Sequence, residues 1–298
     1  MLPSEIIAHC RIDKGGDFKL ADRDPSDTFG LAIEKEEADA LLAAGTKRLS
    51  KLQERLYAEG RWAVLAILQG PDTSGKDGVI KHVLSGINPQ GCEVHSFKQP
   101  SALELAHDFL WRTTMALPAR GHVGVYNRSY YEETIVVRVH PELLDKQNLP
   151  NRLVTDTIWK ERYEDINNFE LHLARSGTVP LKFFLHISKG EQSKRLLARI
   201  ADPEKRWKFS FHDVEERKLW DNFIKAYDDT IRHTATKHAP WYVVPADRKW
   251  FARLVVAATL VERMEALDLQ FPKFDEAQLG ELKKAEAALL EEAKAPER

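Results

Sequence analysis

The chain has 298 residues, 43% hydrophobic and 30% charged, with a net charge of -2. Those values fit one large α/β domain with additions, or two small domains, and they exclude a globally basic binder of nucleic acid or anionic membrane. The two cysteines, Cys10 and Cys92, lie far apart without metal-ligand spacing, which excludes a disulfide framework and fits a reducing cytoplasm.

The start of the chain lacks a basic stretch followed by a long apolar core, and no apolar run reaches transmembrane length. Residues 1–33 carry turn signals at Lys14-Gly15-Gly16 and Asp22-Arg23-Asp24-Pro25, so an irregular arm is expected there. From Glu34 to Glu59, Ala38, Leu42, Gly45, Leu49, Leu52 and Leu56 recur at alternating threes and fours. That stripe predicts a core-facing helix, with an oligomer seam as the alternative.

The stretch Trp62 to Lys81 organises the rest. An apolar run, Ala63 to Leu68, enters the turn Gly70-Pro-Asp-Thr-Ser-Gly75-Lys76, and a helical pattern follows to about Gly86. Strand, glycine loop and helix in that order make a phosphate site, because the N–H groups opening the helix point at the anion. Gly75 lets the backbone approach oxygen atoms closely, and Lys76 supplies a point charge. The hydroxyl residue that usually follows the lysine is replaced by Asp77. Asp72 sits inside the loop, where it would repel bare phosphate unless a cation lies between them.

Asn88-Pro-Gln-Gly91 is a turn, Cys92 to Phe97 a second strand, and Ser101 with Glu104 a capping box opening a helix through His107–Arg112. His122 to Tyr126 is a third strand. The polar group Asn127-Arg-Ser-Tyr-Tyr-Glu132 follows it, where open α/β sheets bind ligands. Arg128 can reach a phosphate there. Glu132 and Glu133 face a metal or ribose on one reading, and on the other are the acidic bias of a first helical turn.

Arg152 to Ser176 reads as a helix, and Leu181 to Ile187 as a strand covered on both faces. Ser188 with Glu191 caps the next helix, which sets Arg195 and Arg199 one turn apart. Arg199, Lys205, Arg206 and Lys208, with Trp207 and Phe209 interleaved, form the densest basic cluster. One reading is a solvated loop. The other is a mobile helical lid over phosphate, spanning about 199–232. Asp213 and Glu216 again have capping-box spacing, Pro240 to Val244 is a fifth strand, and Phe251 to Val261 is a final core helix. Residues 274–298, rich in Ala, Glu, Lys and Leu, read as a solvated or partner-packing helix with a frayed end after Pro296.

Five strands alternating with helices make the expected fold α/β, a doubly wound, five-stranded parallel sheet of the nucleotide-kinase type. Its parts would be an arm (1–33), a kinase domain (34–270) and a helical tail (271–298).

Several motifs together resemble the polyphosphate kinase 2 family: Gly70-x-Asp72-x-x-Gly75-Lys76-Asp77-Gly78, His107–Arg112, Asn127-Arg-Ser-x-Tyr131-Glu132, Lys182–Ile187, Arg206-Trp-Lys-Phe209 and Ala239–Asp247. The resemblance spans about residues 30–270. It implies a three-layer α/β/α sandwich of the P-loop kinase type with a helical lid, and reversible phosphoryl transfer between inorganic polyphosphate and a nucleotide, with magnesium or manganese. Many members have Asp where this chain has Asn127. The Asn resembles the subgroup that phosphorylates both nucleoside monophosphates and diphosphates, and it shifts weight onto Asp72 and Glu132.

The resemblance gives catalytic roles to Asp72, Lys76, Asn127 and Arg128, with Asp72 also holding the metal. The expected substrate contacts are Gly70, Ser74, Gly75, Asp77, Gly78, Glu132, Arg199, Arg206, Trp207 and Lys208. Lys81, one turn beyond the loop, is either part of a basic path for the polyanion or a solvated lysine. The expected partners are polyphosphate and AMP, ADP or ATP, with GDP a further candidate. Nucleic acid and membrane are not expected, and the assembly expected is a homo-oligomer of two or four copies in the cytoplasm. The alternatives are an ATP-dependent kinase of the thymidylate-kinase type and a non-catalytic phosphate-binding protein.

Overall fold

The computed structural model describes residues 2–294. Six strands form one sheet: β1 (Arg11–Ile12), β2 (Ala63–Gln69), β3 (Cys92–Ser96), β4 (Val123–Asn127), β5 (Thr178–His186) and β6 (Trp241–Pro245), in the spatial order β1-β6-β5-β2-β4-β3. The five strands expected from the sequence are all present and mutually parallel. The sixth, β1, corrects that expectation, because it comes from the arm and pairs antiparallel with β6, Arg11 opposite Tyr242. The arm is therefore not wholly irregular. It also holds helix α1 (Ser4–Cys10), whose Ile6, Ile7 and Cys10 are buried.

The alternation along β2 explains the sandwich. Val64, Ala66 and Leu68 point to one face, where they meet Leu49 and Leu56 of α2 (Lys35–Glu59), Val79 and Val83 of α3 (Lys76–Val83) and Leu254 and Val255 of α11 (Lys249–Glu265). Leu65 and Ile67 point to the other, where Ile135 of α6 (Glu132–Val139), Ile166 of α7 (Ile158–Arg175) and Ile231 of α10 (Trp220–Thr234) cover them. Each fully buried large side chain contributes about 1.5–3 kcal/mol relative to exposure. The α2 stripe faces the core, as its spacing implied; Gly45 comes near Ala257 of α11.

Several boundaries differ from the sequence reading. The segment after Ser101 is two single turns, α4 (Ala102–Leu105) and α5 (Trp111–Thr114), although the Ser101–Glu104 capping box forms as expected. α7 begins at Ile158, since 3-10 turns occupy Pro141–Gln147 and Asn151–Leu153. Ser188 caps α8 (Lys189–Ala201) by accepting from the Glu191 N–H. The expected Asp213–Glu216 box does not form: Ser210 caps α9 (Phe211–Glu216), and Asp213 and Glu216 instead accept bonds from Arg199 and His140. Helix α12 (Glu276–Lys294) buries no residue, and the end after Pro296 lies outside the described residues. No described helix is long and apolar enough to cross a membrane.

One buried charge locks the second layer to the sheet. Lys182 on β5 donates to Glu170 of α7 at 2.7 Å, to the Thr234 carbonyl at 2.7 Å and to the Tyr131 hydroxyl at 3.0 Å. Tyr130 and Tyr131 both donate to the other Glu170 oxygen. Every ammonium proton has a partner, which is what a fully buried lysine requires. Lys182→Met leaves Glu170 buried without its cation, so it should lower unfolding free energy by about 3–5 kcal/mol in urea titration. A loss below about 1 kcal/mol would mean the tyrosines alone neutralise the carboxylate.

Candidate functional site

Strand register builds the site. Leu68 of β2 lies opposite Asn127 of β4 and Phe183 of β5, so β2 and β4 end within a residue of each other while β5 runs on to His186. The connection leaving β2 runs through α3 on one face of the sheet and that leaving β4 through α6 on the other, which opens a crevice between the two strand ends. The loop Gly70–Gly75 fills it, and α3 starts directly behind. Gly70 is required sterically: a Cβ there would lie 2.7 Å from Ser74 Oγ and 2.8 Å from the Leu185 carbonyl oxygen. Gly75 adopts a φ of 112° as it turns the chain into α3.

Lys76 is buried and curls back over the loop, donating to the carbonyls of Gly70 at 2.6 Å and Pro71 at 3.1 Å. Burial, reinforced by the nearby Arg128 charge, pulls its pKa down to about 8. The protonated form is the one that attracts phosphate. As pH rises through about 8, free protein loses that charge, so kcat/KM for a phosphate donor should fall on the alkaline side. Lys76→Arg stays cationic, and any activity it retains should lack that limb. An alkaline limb that persists in Lys76→Arg would assign the titration to another group.

Arg128 follows β4 in an unusual backbone conformation, with a φ of 66°, and its N–H donates to the Leu68 carbonyl. Thr73 in the loop is also left-handed, at 62°. Such residues cost on the order of 1–3 kcal/mol each and persist where surrounding structure imposes them. The turn carries the Arg128 guanidinium over the loop, where it donates to Asp72 at 2.6 Å and to Glu132 at 2.9 Å. The cation beside Asp72 in this conformation is therefore an arginine. Glu132 does more than bias a helical first turn, since it flanks Arg128 from the opposite side to Asp72. Glu133 does not face the site. It is buried in a pair with Arg162 of α7, with Gln147 donating to the same carboxylate oxygen.

Asn127 donates to Asp77 at 2.9 Å, and Lys208 approaches the other Asp77 oxygen at 3.5 Å. Burial pushes the Asp77 pKa up, but the Asn127 bond and the Lys208 and Lys76 charges outweigh it and leave it below the ordinary value. Arg199 donates to the Lys208 carbonyl and to Asp213. Burial, then the charge of Asp72, raises the Asp213 pKa. The segment 199–232 thus touches the loop region through Lys208. Arg206 instead donates to the Ile200 carbonyl, and Trp207 is 77% exposed with the Lys208 ammonium 5.1 Å from its ring centre. Lys81 is exposed, with no hydrogen bond or ion pair among the described residues. Gly78 has room for a Cβ, 3.8 Å from the Arg253 guanidinium.

Sequence reasoning gave no site role to the residues that hold the loop from behind, although it set Arg195 one turn from Arg199. Arg195 of α8 donates to the carbonyls of Thr73, Ser74, Ala246 and Asp247. Gln192, one turn earlier, donates to the Asp72 carbonyl at 3.0 Å. Their i, i+3 spacing just after a strand end was the available signal. Tyr227 of α10 is likewise buried beside Arg128, Glu132 and Asp72.

A parallel sheet with a lysine-bearing glycine loop after its central strand, and an arginine from the adjacent strand end over that loop, defines a P-loop kinase-like protein. Residues 32–272 match the family model for polyphosphate kinase 2, and the chain belongs to that family. It is 53% identical over 257 residues to an ADP-polyphosphate phosphotransferase of Rhodopseudomonas palustris, covering 86% of this chain and 89% of that one. It is 46% identical over 263 residues to an AMP/ADP-polyphosphate phosphotransferase of Meiothermus ruber, covering 88% and 94%. The crystal structure of polyphosphate kinase 2 from Arthrobacter aurescens TC1 superposes with a TM-score of 0.84 at 42% identity, covering 94% of this chain and 95% of that one.

Proposed function

We propose that this chain transfers phosphoryl groups reversibly between inorganic polyphosphate and nucleotides, taking AMP to ADP and ADP to ATP. The observation that carries this reading is Arg128 poised between Asp72 and Glu132 at the mouth of the glycine loop. Phosphoryl transfer needs positioning, charge neutralisation and exclusion of water more than covalent help. Lys76 and the loop amides bind the polyphosphate end. Arg128 exchanges its carboxylate partners for the migrating phosphoryl. Lys208 and Arg199, carried on residues 199–219 acting as a lid shorter than the expected 199–232 because α10 is packed into the core, add charge and keep water out.

Magnesium fits the donor set. Among the described residues no three His, Cys, Asp or Glu side chains form a ready cage. Magnesium, however, is usually held by one or two carboxylates together with waters and substrate phosphates. Asp72 supplies one carboxylate. Glu132 Oε1, buried and without a hydrogen-bond partner, offers a second oxygen, and the Thr73 and Ser74 hydroxyls in the same loop are also buried and unpaired. Bound there, the ion would neutralise phosphate charge and orient the reacting groups. Asp72 and Glu132 would hold it while Arg128 turns to the phosphoryl group.

Asn127 supports the wider acceptor range, because its amide is spent on Asp77 and adds no carboxylate to the site. A time course with AMP, polyphosphate and magnesium should show ADP rising before ATP. Inert AMP with active ADP would confine the acceptor to diphosphates. No transfer to either would remove the reading.

A further inference from the structure

The loop presents three consecutive carbonyls, Asp72, Thr73 and Ser74, to α8. Gln192 takes the first at 3.0 Å, and Arg195 takes the second and third at 3.0 Å each. In a trans peptide the carbonyl and the following N–H point in opposite directions. Holding these carbonyls therefore fixes the N–H groups of Thr73 and Gly75 on the opposite side of the loop, while the Ser74 N–H closes the turn onto the Pro71 carbonyl at 3.1 Å. Gln192 is itself held. Its Oε1 accepts from Arg217 at 2.5 Å, and the same Arg217 nitrogen reaches the Lys189 carbonyl at 3.1 Å. Arg217 lies between α9 and α10, inside segment 199–232. A continuous path thus runs from that segment through one buried amide to the backbone of Asp72.

The amide has one orientation that satisfies both neighbours: nitrogen toward the carbonyl, oxygen toward the guanidinium. If Arg217 withdraws, Gln192 Oε1 becomes a buried acceptor without a donor, and nothing fixes the side chain against Asp72. A buried acceptor left unsatisfied is unfavourable, which favours release of the contact.

We propose that Gln192 and Arg217 are positioning residues that couple the lid to the phosphate loop. With residues 199–219 seated ahead of α10, which Tyr227 and Ile231 fix in the core, Arg217 orients Gln192 and Gln192 holds the Asp72 carbonyl outward, so the loop amides of Thr73 and Gly75 are set for an anion. With the segment displaced, the loop relaxes. Linkage makes this reciprocal: an anion in the loop favours a seated lid by the same factor that a seated lid favours the anion. The proposal rests on the reading of Gly70–Lys76 as the phosphate site.

The test uses amide hydrogen exchange of the full chain without substrate, together with steady-state kinetics. Arg217→Ala should speed exchange across residues 70–78, far from Arg217 in sequence. It should also raise KM for polyphosphate about tenfold, within the usual range of coupling between sites, with a smaller effect on kcat. Gln192→Leu should do the same, and the double variant should be no worse than either single one, because both break one path. Arg217→Lys should recover part of the loss. Should Gln192→Leu fail to fold, Gln192→Glu serves instead: its carboxylate still accepts from Arg217 but cannot donate to Asp72, so loop exchange rises while segment 199–232 stays protected. Additive effects in the double variant, or unchanged loop exchange and KM in Arg217→Ala, would overturn the coupling. Exchange is read without substrate, so a coupled loop in a protein inactive with polyphosphate would count against the proposed function alone. An active protein with an uncoupled loop would count against the linkage alone.

Discussion

Arg128→Ala should lower turnover of ADP with polyphosphate by about a thousandfold or more, the scale on which an arginine stabilises transferring phosphoryl groups. Its guanidinium is placed by a strained backbone turn directly between two loop-facing carboxylates. Removing it also leaves Asp72 and Glu132 facing each other with less compensation, so binding of a polyanion should weaken as well. Arg128→Lys should recover only part of the activity, since a lysine contacts one point where arginine makes two. The urea midpoint should move little, because these side chains are only partly buried and their pairing is solvent-screened. Turnover within tenfold of wild type would remove Arg128 from the chemistry.

Asp72→Asn should lower kcat by about a hundred- to a thousandfold, comparable to losing one preorganised electrostatic contact. The change keeps size and most hydrogen bonding, and the Asp72 carbonyl keeps its bond from Gln192, so loop shape should survive. What disappears is the charge that balances Arg128 in the substrate-free protein and that would hold magnesium during transfer. The loss should therefore appear with a raised magnesium requirement, read as a shift of the activity curve against metal concentration. Near-normal kcat with an unshifted magnesium curve would make Asp72 a turn residue.

The centre of this molecule is legible in its sequence because local rules there agree with global ones. An apolar run, glycines spaced around a turn, a lysine and a helical pattern can satisfy one another in few ways, and the structure contains that arrangement at Ala63–Val83. The capping box at Ser101 and the cap from Ser188 to the Glu191 N–H were readable for the same reason, as each is closed within four residues, although the Ser188 N–H goes to Asp247 and leaves the second half of its expected box unformed. Strand β1 was not readable, because two residues show no periodicity and its pairing with β6 is decided by tertiary contact. Asp213 and Glu216 had the right spacing for a box, but an ion pair with Arg199 and a hydrogen bond with His140 compete for the two side chains. Glu133 was ambiguous for a related reason: its partner, Arg162, comes from a helix that sequence spacing cannot bring near. Gln192 and Arg195 looked like ordinary polar positions on an amphipathic helix. Their importance comes from facing loop carbonyls more than a hundred residues away, which only the folded sheet brings into reach.

The direct test of phosphoryl donation is an isotope experiment. Polyphosphate labelled in its phosphoryl groups is incubated with unlabelled ADP, magnesium and purified protein, and the products are separated. The expected result is label in the γ-phosphoryl of ATP, one labelled group for each ATP formed, with little labelled orthophosphate because water is excluded during transfer. Label released only as orthophosphate, or ATP formed without label, would contradict direct transfer from polyphosphate to the nucleotide.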